Sequence, residues 1–232
     1  MRLNSYISAT GICSRREADK LIEQERVKIN DQIAVLGTRV KEGDQVSVDD
    51  KPLEKKENDV YIAFNKPVGI TCTTERHIKG NIIDFINYPE RIFPIGRLDK
   101  DSEGLILLTN DGSIVNKILR EENNHQKEYI VTVNKQITAD FIKGMSNGVK
   151  IFNPVKKEHA VTKECKIEKI NDRSFKITLS QGLNRQIRRM CSHFGYNVVK
   201  LKRIKIMHIT LDGIQVGKWR YLTEAELDEI IK

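Results

Sequence analysis

A carboxylate lies two residues after a guanidinium in the segment of residues 96–112, which reads Gly-Arg-Leu-Asp-Lys-Asp-Ser-Glu-Gly-Leu-Ile-Leu-Leu-Thr-Asn-Asp-Gly. Asp99 follows Arg97 at this spacing, and the apolar run from Leu105 to Leu108 comes soon after. Charged side chains so close to a buried strand are costly unless they are paired, and such groups cluster at functional sites. The segment therefore predicts either a catalytic carboxylate at Asp99 or a polar turn that Asp99 caps.

A second stretch, from residue 185 to 205, contains basic side chains and no acidic one. Its basic residues are Arg185, Arg188, Arg189, Lys200, Lys202, Arg203 and Lys205. The whole chain has a formal net charge of +8, yet residues 1–60 contain 11 basic and 12 acidic side chains. The excess positive charge therefore lies beyond residue 60. This distribution predicts a polyanionic partner, although a solvated basic surface would show the same pattern.

Composition excludes several classes of protein. At 232 residues, with 39% hydrophobic and 31% charged residues, the chain suits a soluble protein with one ordinary domain and one small one. It has no run of about 20 apolar residues and no apolar segment near the N-terminus, so we expect neither a membrane span nor a signal peptide. Four isolated cysteines predict a reduced, cytoplasmic setting. Five histidines without ligand spacing, and no phosphate-binding loop, predict no metal and no cofactor.

The first segment has the pattern of a compact α/β module. A short helix is predicted from Arg2 to Ala9, and Ser14 with Glu17 forms a capping box that begins a second helix. Short strands are predicted at Val27–Asn30 and Val46–Val48. Arg15 and Arg16 fall in the first turn of the second helix, where cations oppose the helix dipole. They are either contacts to the polyanionic partner or exposed arginines of little energetic consequence.

The charged residues 51–59 read as a linker, which predicts a first domain at 1–58 and a second at 60–232. Beyond the linker, strands and helices follow one another without a regular βαβ repeat, which indicates an α+β domain. Strands are predicted at Tyr61–Phe64, Tyr129–Val133, Phe175–Leu179 and within Val198–Leu211, and helices at Ile114–Leu119, Ile137–Val149, Arg185–Phe194 and from Thr223 onward.

Four motifs in order give the chain a resemblance to the RsuA-type pseudouridine synthases. They are Lys66-Pro67-Val68-Gly69, the segment Gly96–Gly112, Lys127-Glu128-Tyr129-Ile130-Val131, and Gly182-Leu183-Asn184-Arg185-Gln186-Ile187-Arg188-Arg189-Met190. The stretches Asn184–Tyr196 and Gly217–Arg220 look most like the RluF branch of that family. The first segment resembles an S4 RNA-binding domain. The resemblance implies a small S4-like α/β module followed by a larger domain with a central, mainly antiparallel mixed sheet flanked by helices.

The resemblance also implies roles for particular residues. Asp99 would be the catalytic carboxylate, and Arg188, or alternatively Arg185, its ion-pair partner. The ring of Tyr129 would pack on uracil, and its hydroxyl would accept a proton. Arg97 would either hold the backbone or fill the space left by the extruded base, and Ile187 would wall the uracil pocket. The expected RNA contacts are Arg15, Arg16, Arg185, Arg189, Lys200, Lys202 and Arg203.

The implied reaction isomerises a uridine of 23S rRNA without a metal or cofactor. The RluF-like motifs imply the uridine at rRNA position 2604 in the usual bacterial numbering, and a tRNA anticodon uridine as an additional target. We expect a monomer. One alternative is a non-catalytic RNA-binding or ribosome-assembly factor with the same fold. Another is a nucleoside or glycoside hydrolase, for which Asp101 or Glu103 would be the second carboxylate, although we interpret both as turn residues.

Overall fold

The computed structural model describes residues 1–54, 58–119, 125–154 and 157–231. The chain divides into two compact units. The first contains Met1–Tyr61, Tyr88–Phe93 and Thr109–Gly112, and the second contains Ile62–Asn87, Pro94–Leu108 and Ser113–Lys232. The boundary between domains at residues 58–60 stays a prediction, and Lys55, Lys56 and Glu57 of the expected linker lie outside the described residues.

The first unit contains two helices and a small antiparallel sheet. The helices are α1 (Leu3–Ala9) and α2 (Arg15–Glu23), and the strands are β1 (Val27–Ile29), β2 (Gln32–Ile33), β3 (Val46–Val48) and β4 (Lys51–Pro52). The strands lie in the order β2-β1-β3-β4. The predicted capping box is confirmed, because Ser14 Oγ accepts from the Glu17 amide and the Glu17 carboxylate accepts from the Ser14 amide.

The turn between β1 and β2 shows why the chain reverses where it does. Asn30 and Asp31 both have positive φ, 48° and 64°, which is the backbone of a type I′ hairpin and one that these two residue types tolerate. Leu3, Ile7 and Val27 belong to the buried core beneath this sheet. The stretch expected to be linker begins differently, because residues 51–52 form β4 and the Leu53 amide donates to the Val46 carbonyl at 2.8 Å.

The second unit is built around one large sheet. Its strands are β5 (Tyr61–Lys66), β6 (Phe93–Ile95), β7 (Glu103–Thr109), β8 (Lys127–Val133), β11 (Lys166–Asn171), β12 (Ser174–Leu179), β13 (Val198–Ile206), β14 (Ile209–Thr210) and β15 (Trp219–Tyr221). Two further strands, β9 (Lys150–Asn153) and β10 (Glu158–Val161), pair with each other. The helices are α3 (Ile82–Ile86), α4 (Ile114–Leu119), α5 (Ala139–Ser146), α6 (Gln186–His193) and α7 (Glu224–Ile231).

The large sheet is mixed and mainly antiparallel, as predicted. Its strands lie in the order β11-β12-β8-β13-β7-β5-β15, with β14 beside β13 and β6 beside β7. β13 runs antiparallel to β8 but parallel to β7, so two of the segments singled out in the sequence become direct neighbours. The helix predicted over 137–149 is shorter, because Ile137 and Val149 pack in the core outside the ends of α5.

A helix can cross a membrane only if it is long enough and apolar enough. Within residues 1–54, 58–119, 125–154 and 157–231, no helix is both long and apolar enough to cross a bilayer.

Candidate active site

A cavity of about 380 Å³ in the second unit is lined by half of the site residues that the sequence singled out. Six of the predicted site residues line it: Arg97, Asp99, Tyr129, Arg185, Ile187 and Arg203. They come from the loop between β6 and β7, from β8, from the start of α6 and from β13. Apolar walls are supplied by residues such as Leu98, Leu179 and Leu201. The volume is of the size that small-molecule sites occupy.

Asp99 stands on the loop that joins β6 to β7. The loop is tied down by backbone hydrogen bonds from the Ser102 amide to the Asp99 carbonyl (3.0 Å) and from the Gly69 amide to the Lys100 carbonyl (2.7 Å). The Asp99 side chain is 32% exposed, and its Oδ2 lies 3.7 Å from Arg185 Nη1. The carboxylate is therefore open to the cavity and has a cation beside it.

The cation beside Asp99 differs from the one expected. Arg188 instead donates from Nη2 to the Asp101 carbonyl (2.9 Å) and to Ser102 Oγ (3.2 Å), and its Nε lies 3.5 Å from Asp101 Oδ2. The expected Asp99–Arg188 ion pair is absent among the described residues, where Arg185 takes its place. The physical reason is the left-handed backbone of Arg185 (φ 49°) at the N-cap of α6, which starts this side chain in a different direction from that of Arg188.

Asp101, which we interpreted as a turn residue, is the centre of a charged cluster. Arg185 donates to both of its carboxylate oxygens, at 3.0 and 2.8 Å. These hydrogen bonds, more than the charges of Arg188 and Arg185, hold the pKa of Asp101 below its usual value. In the structure both carboxylates lie near the Arg185 guanidinium. Sequence spacing alone therefore does not show which of Asp99 and Asp101 is engaged by it. Asp101 lies in a turn, as interpreted, whereas Glu103 begins β7 and pairs with Lys202 at 2.9 Å, so the interpretation of Glu103 as a turn residue is wrong.

Tyr129 and Arg203 form the floor of the site. Both are largely buried, with 8% and 4% of their surfaces exposed. Arg203 donates from Nε to the Leu105 carbonyl at 2.7 Å, and its guanidinium carbon lies 6.0 Å from the centre of the Tyr129 ring. No group in the described part of the chain accepts a hydrogen bond from Arg203 Nη2. Arg203 was expected to contact RNA from the surface, and its burial instead makes it part of the cavity wall.

Lys66 is a buried cation whose role the sequence did not reveal. Its side chain is fully buried, and Nζ donates to the Pro67 and Ile70 carbonyls, both at 2.9 Å. Burial lowers the pKa of Lys66, and the charges of Asp101 and Asp99 oppose that shift. A lysine followed by proline at the end of a buried strand was the available signal. The side chain fastens the turn after β5 beneath the Asp99 loop.

The remaining basic residues are less free to bind phosphates than their number suggested. Arg189 donates to the carbonyl and the side chain of Asn184 at 2.9 and 3.0 Å. Lys202 pairs with Glu103, and Lys205 lies 3.5 Å from Glu128. Lys200 is exposed. Acidic residues from neighbouring strands therefore neutralise part of the charge of this stretch, and its contact with RNA stays a prediction.

Arg15 and Arg16 belong to the first unit, whereas the residues that line this cavity belong to the second. Both are exposed in the first turn of α2, as predicted, and Arg15 donates to Ser5 Oγ. Within the described ranges no group of three or more histidine, cysteine or acidic side chains is placed to hold a metal ion. The chemistry that these residues offer is a carboxylate beside a cation, an aromatic hydroxyl and a wall with a buried guanidinium.

Comparison with known proteins matches both units of the chain. Residues 60–193 match the family described as RNA pseudouridylate synthase, and residues 1–46 match the S4 domain. The chain is 56% identical over 234 residues to the dual-specificity RNA pseudouridine synthase RluF of Escherichia coli (strain K12), covering 100% of this chain and 79% of the relative. It is 35% identical to ribosomal large subunit pseudouridine synthase B of Bacillus subtilis (strain 168), covering 99% and 95%. A crystal structure of a pseudouridylate synthase has a TM-score of 0.72 and 31% identity, over 99% of each chain.

Proposed function

Since the chain belongs to the RNA pseudouridylate synthase family and carries an S4 domain, we propose that it isomerises a uridine of 23S rRNA with Asp99 as the catalytic carboxylate. The protein is an isomerase of the RluF type, and a non-catalytic binding factor is not favoured. The observation that carries the proposal is the position of Asp99, which opens into the cavity with the Arg185 guanidinium 3.7 Å away.

The reaction rearranges bonds within one nucleotide. The bond between N1 and C1′ breaks, a bond between C5 and C1′ forms, C5 loses a proton and N1 gains one, so no atom is gained or lost overall. Asp99 either attacks C1′ or assists the departure of uracil, and both routes need an ionised carboxylate with a free lone pair. Arg185 stabilises that ionised form.

The other cavity residues handle the base and its proton. Tyr129 packs on the uracil, and its hydroxyl is the acceptor for the proton that leaves C5. Ile187, 4% exposed, walls the base pocket. Arg97 is exposed at the cavity's edge and takes the place of the flipped nucleotide, whose extraction costs a few kcal/mol. Arg188 acts by fixing Asp101 and Ser102, which belong to the same loop as Asp99.

We propose rRNA position 2604 as the target, with a tRNA anticodon uridine as a second substrate. The support is the 56% identity to a relative named as a dual-specificity RNA pseudouridine synthase. Site-resolved pseudouridine mapping of rRNA and tRNA, in a strain lacking the protein and in one carrying it again, tests this. An unchanged map at both sites contradicts the target assignment.

We also propose that the enzyme works as a monomer in the cytoplasm. The four cysteines are free, which suits a reducing compartment. Light scattering of the purified enzyme, alone and with RNA, reports the oligomeric state.

The decisive experiment for the catalytic assignment is Asp99→Asn. The amide keeps the size of the side chain but cannot carry the negative charge, so we expect RNA binding near the wild-type level and no pseudouridine. Tritium release from RNA labelled at C5 of uridine measures the activity. Asp140→Asn, an exposed change in the first turn of α5, is the control. Normal turnover by the Asp99→Asn enzyme would falsify the assignment.

A further inference from the structure

Two carboxylates of one loop share one guanidinium, and they share it unequally. Arg185 gives Asp101 two hydrogen bonds, at 3.0 and 2.8 Å. The same guanidinium approaches Asp99 only to 3.7 Å. Within the described part of the chain, no side chain donates a hydrogen bond to the Asp99 carboxylate. Asp99 therefore has the charge of Arg185 beside it while its lone pairs stay unoccupied.

We propose that Asp101 is a positioning residue that draws the hydrogen bonds of Arg185 away from Asp99. This rests on the proposed function, in which Asp99 acts on C1′. A bidentate arginine–carboxylate pair is strong and directional, so a carboxylate held in one has its oxygens engaged. By occupying the fork of Arg185, Asp101 leaves the oxygens of Asp99 free to act on C1′.

The surrounding contacts hold Asp101 where this division requires it. Arg188 binds the Asp101 carbonyl and Ser102 Oγ, and its Nε lies 3.5 Å from the Asp101 carboxylate. The guanidinium groups of Arg185 and Arg188 therefore both lie beside the Asp101 carboxylate. Arg185 itself has a left-handed backbone (φ 49°), an uncommon conformation for a residue with a side chain. Strained positions of this kind are typical of functional sites.

Other titratable groups near the two carboxylates stay unchanged in the variants below. Lys66 from β5 and Cys72 after it interact electrostatically with Asp99. Lys127 and Tyr129 from β8, Arg203 from β13 and Arg97 from the same loop line the cavity with Asp99. These groups are the same in the wild-type enzyme and in the variants. A difference in rate or pH profile between the enzymes therefore reports how Arg185 is shared between Asp99 and Asp101.

Asp101→Asn tests the proposal. Without the second carboxylate, Arg185 turns its hydrogen bonds to Asp99, so the single-turnover rate at saturating enzyme should fall by about 10- to 100-fold, as for a misplaced catalytic group. The acid limb of the kcat/KM profile should move to lower pH, because a negative neighbour is gone and the full charge of Arg185 acts on Asp99. Glu103→Gln, in the same segment but paired with Lys202, should leave the acid limb in place.

A second change separates this role from a structural one. In Asp101→Asn/Arg185→Gln, the guanidinium that would bind Asp99 is removed, so the single-turnover rate at pH about 8, where a free carboxylate is ionised, should rise above that of Asp101→Asn. If Asp101 merely supported the fold, the double variant would be as slow as the single variant or slower. A native circular dichroism spectrum for each variant confirms folding.

Three results would overturn the proposal: a wild-type rate in Asp101→Asn, an acid limb that moves to higher pH, or no recovery in the double variant. These outcomes are distinct from failure of the proposed function. If Asp99→Asn is inactive and Asp101→Asn behaves like wild type, only the role of Asp101 is lost. If Asp99→Asn is active, the premise itself is lost.

Discussion

Three arginines near the cavity have three different environments. Arg185 is the exposed member and pairs with carboxylates, Arg188 is largely buried and binds a loop carbonyl, and Arg203 is buried against a strand carbonyl. A guanidinium offers five donors in a fixed fork, so the neighbouring acceptors decide what each one does. Within one site, arginine therefore pairs with carboxylates at Arg185, holds a loop through a carbonyl at Arg188, and lines the cavity at Arg203.

Tyr129→Phe isolates the hydroxyl of the buried tyrosine. The ring and its packing remain, so RNA affinity should stay close to wild type. Loss of a general base should lower kcat by about 10²- to 10⁴-fold, which tritium release under single-turnover conditions measures. Tyr61→Phe, which removes a hydroxyl bound to Asp111 at 2.9 Å, is the matched control. A full rate in the Tyr129→Phe enzyme would show that another group takes the proton.

At the scale of residues, sequence patterns predicted which side chains gather at the cavity better than they predicted how those side chains pair. Asp99, Tyr129, Arg185 and Ile187 come together as the motifs suggested. The pairing of Asp99 was predicted with Arg188 and lies with Arg185. Long flexible side chains reach several acceptors from one backbone position, so their partners depend on tertiary neighbours that no spacing encodes.

The contact between β7 and β13 depends on a glycine. Gly104 has a φ of 117°, and a Cβ there would lie 2.2 Å from the Arg203 carbonyl oxygen and 2.7 Å from its nitrogen. The two strands run in parallel with Gly104 opposite Arg203. This close approach sets Arg203 beside the loop that carries Asp99, so an element-level requirement controls the geometry of the site.

Gly104→Ala should therefore destabilise the second unit strongly. The new methyl group meets backbone atoms that cannot move aside, and the backbone conformation is itself unfavourable for alanine, so we expect a loss of about 3 kcal/mol or more. Urea denaturation followed by circular dichroism measures it. At Gly112 a Cβ would meet open space, so Gly112→Ala should change stability by less than about 0.5 kcal/mol. Equal effects of the two changes would contradict this account.

At the scale of elements, local signals predicted the ends of several elements well. The capping box at Ser14 begins α2 where expected. The helix predicted from Thr223 onward begins at Glu224, after hydrogen bonds between Thr223 and Glu226. Strand β4 was not predicted, because it consists of one charged residue and one proline, Lys51 and Pro52. Two such residues at a sheet edge show no hydrophobic periodicity. The parallel pairing of β7 with β13 joins segments about a hundred residues apart, as the register of Gly104 with Arg203 shows. Such pairing follows from the whole fold rather than from any local pattern.

The distribution of charge over the whole molecule predicts how RNA binding depends on salt. The first unit has nearly balanced charge, so its affinity for RNA depends on individual exposed arginines rather than on net attraction. Arg15 and Arg16 are such residues, whereas Arg26 in the same unit is paired with Asp49 at 2.6 Å.

Arg15→Gln/Arg16→Gln should weaken RNA binding and leave the rate at saturating RNA unchanged. Each lost phosphate contact should reduce the slope of log K against log salt by about 0.7 to 0.9. Fluorescence anisotropy between about 50 and 200 mM salt measures this slope. Arg26→Gln, whose charge Asp49 already offsets, should alter the slope less. An unaltered slope in the double variant would place the phosphate contacts elsewhere.

The fully buried amine of Lys66 has a consequence for how the molecule meets reactive chemicals. Its nitrogen is enclosed and engaged with two carbonyl groups, so an acylating reagent reaches it only when strand β5 and the following turn come apart. Surface lysines react without any such opening. The rate at which this one amine is modified therefore measures how often the structure opens transiently beneath the loop that carries Asp99.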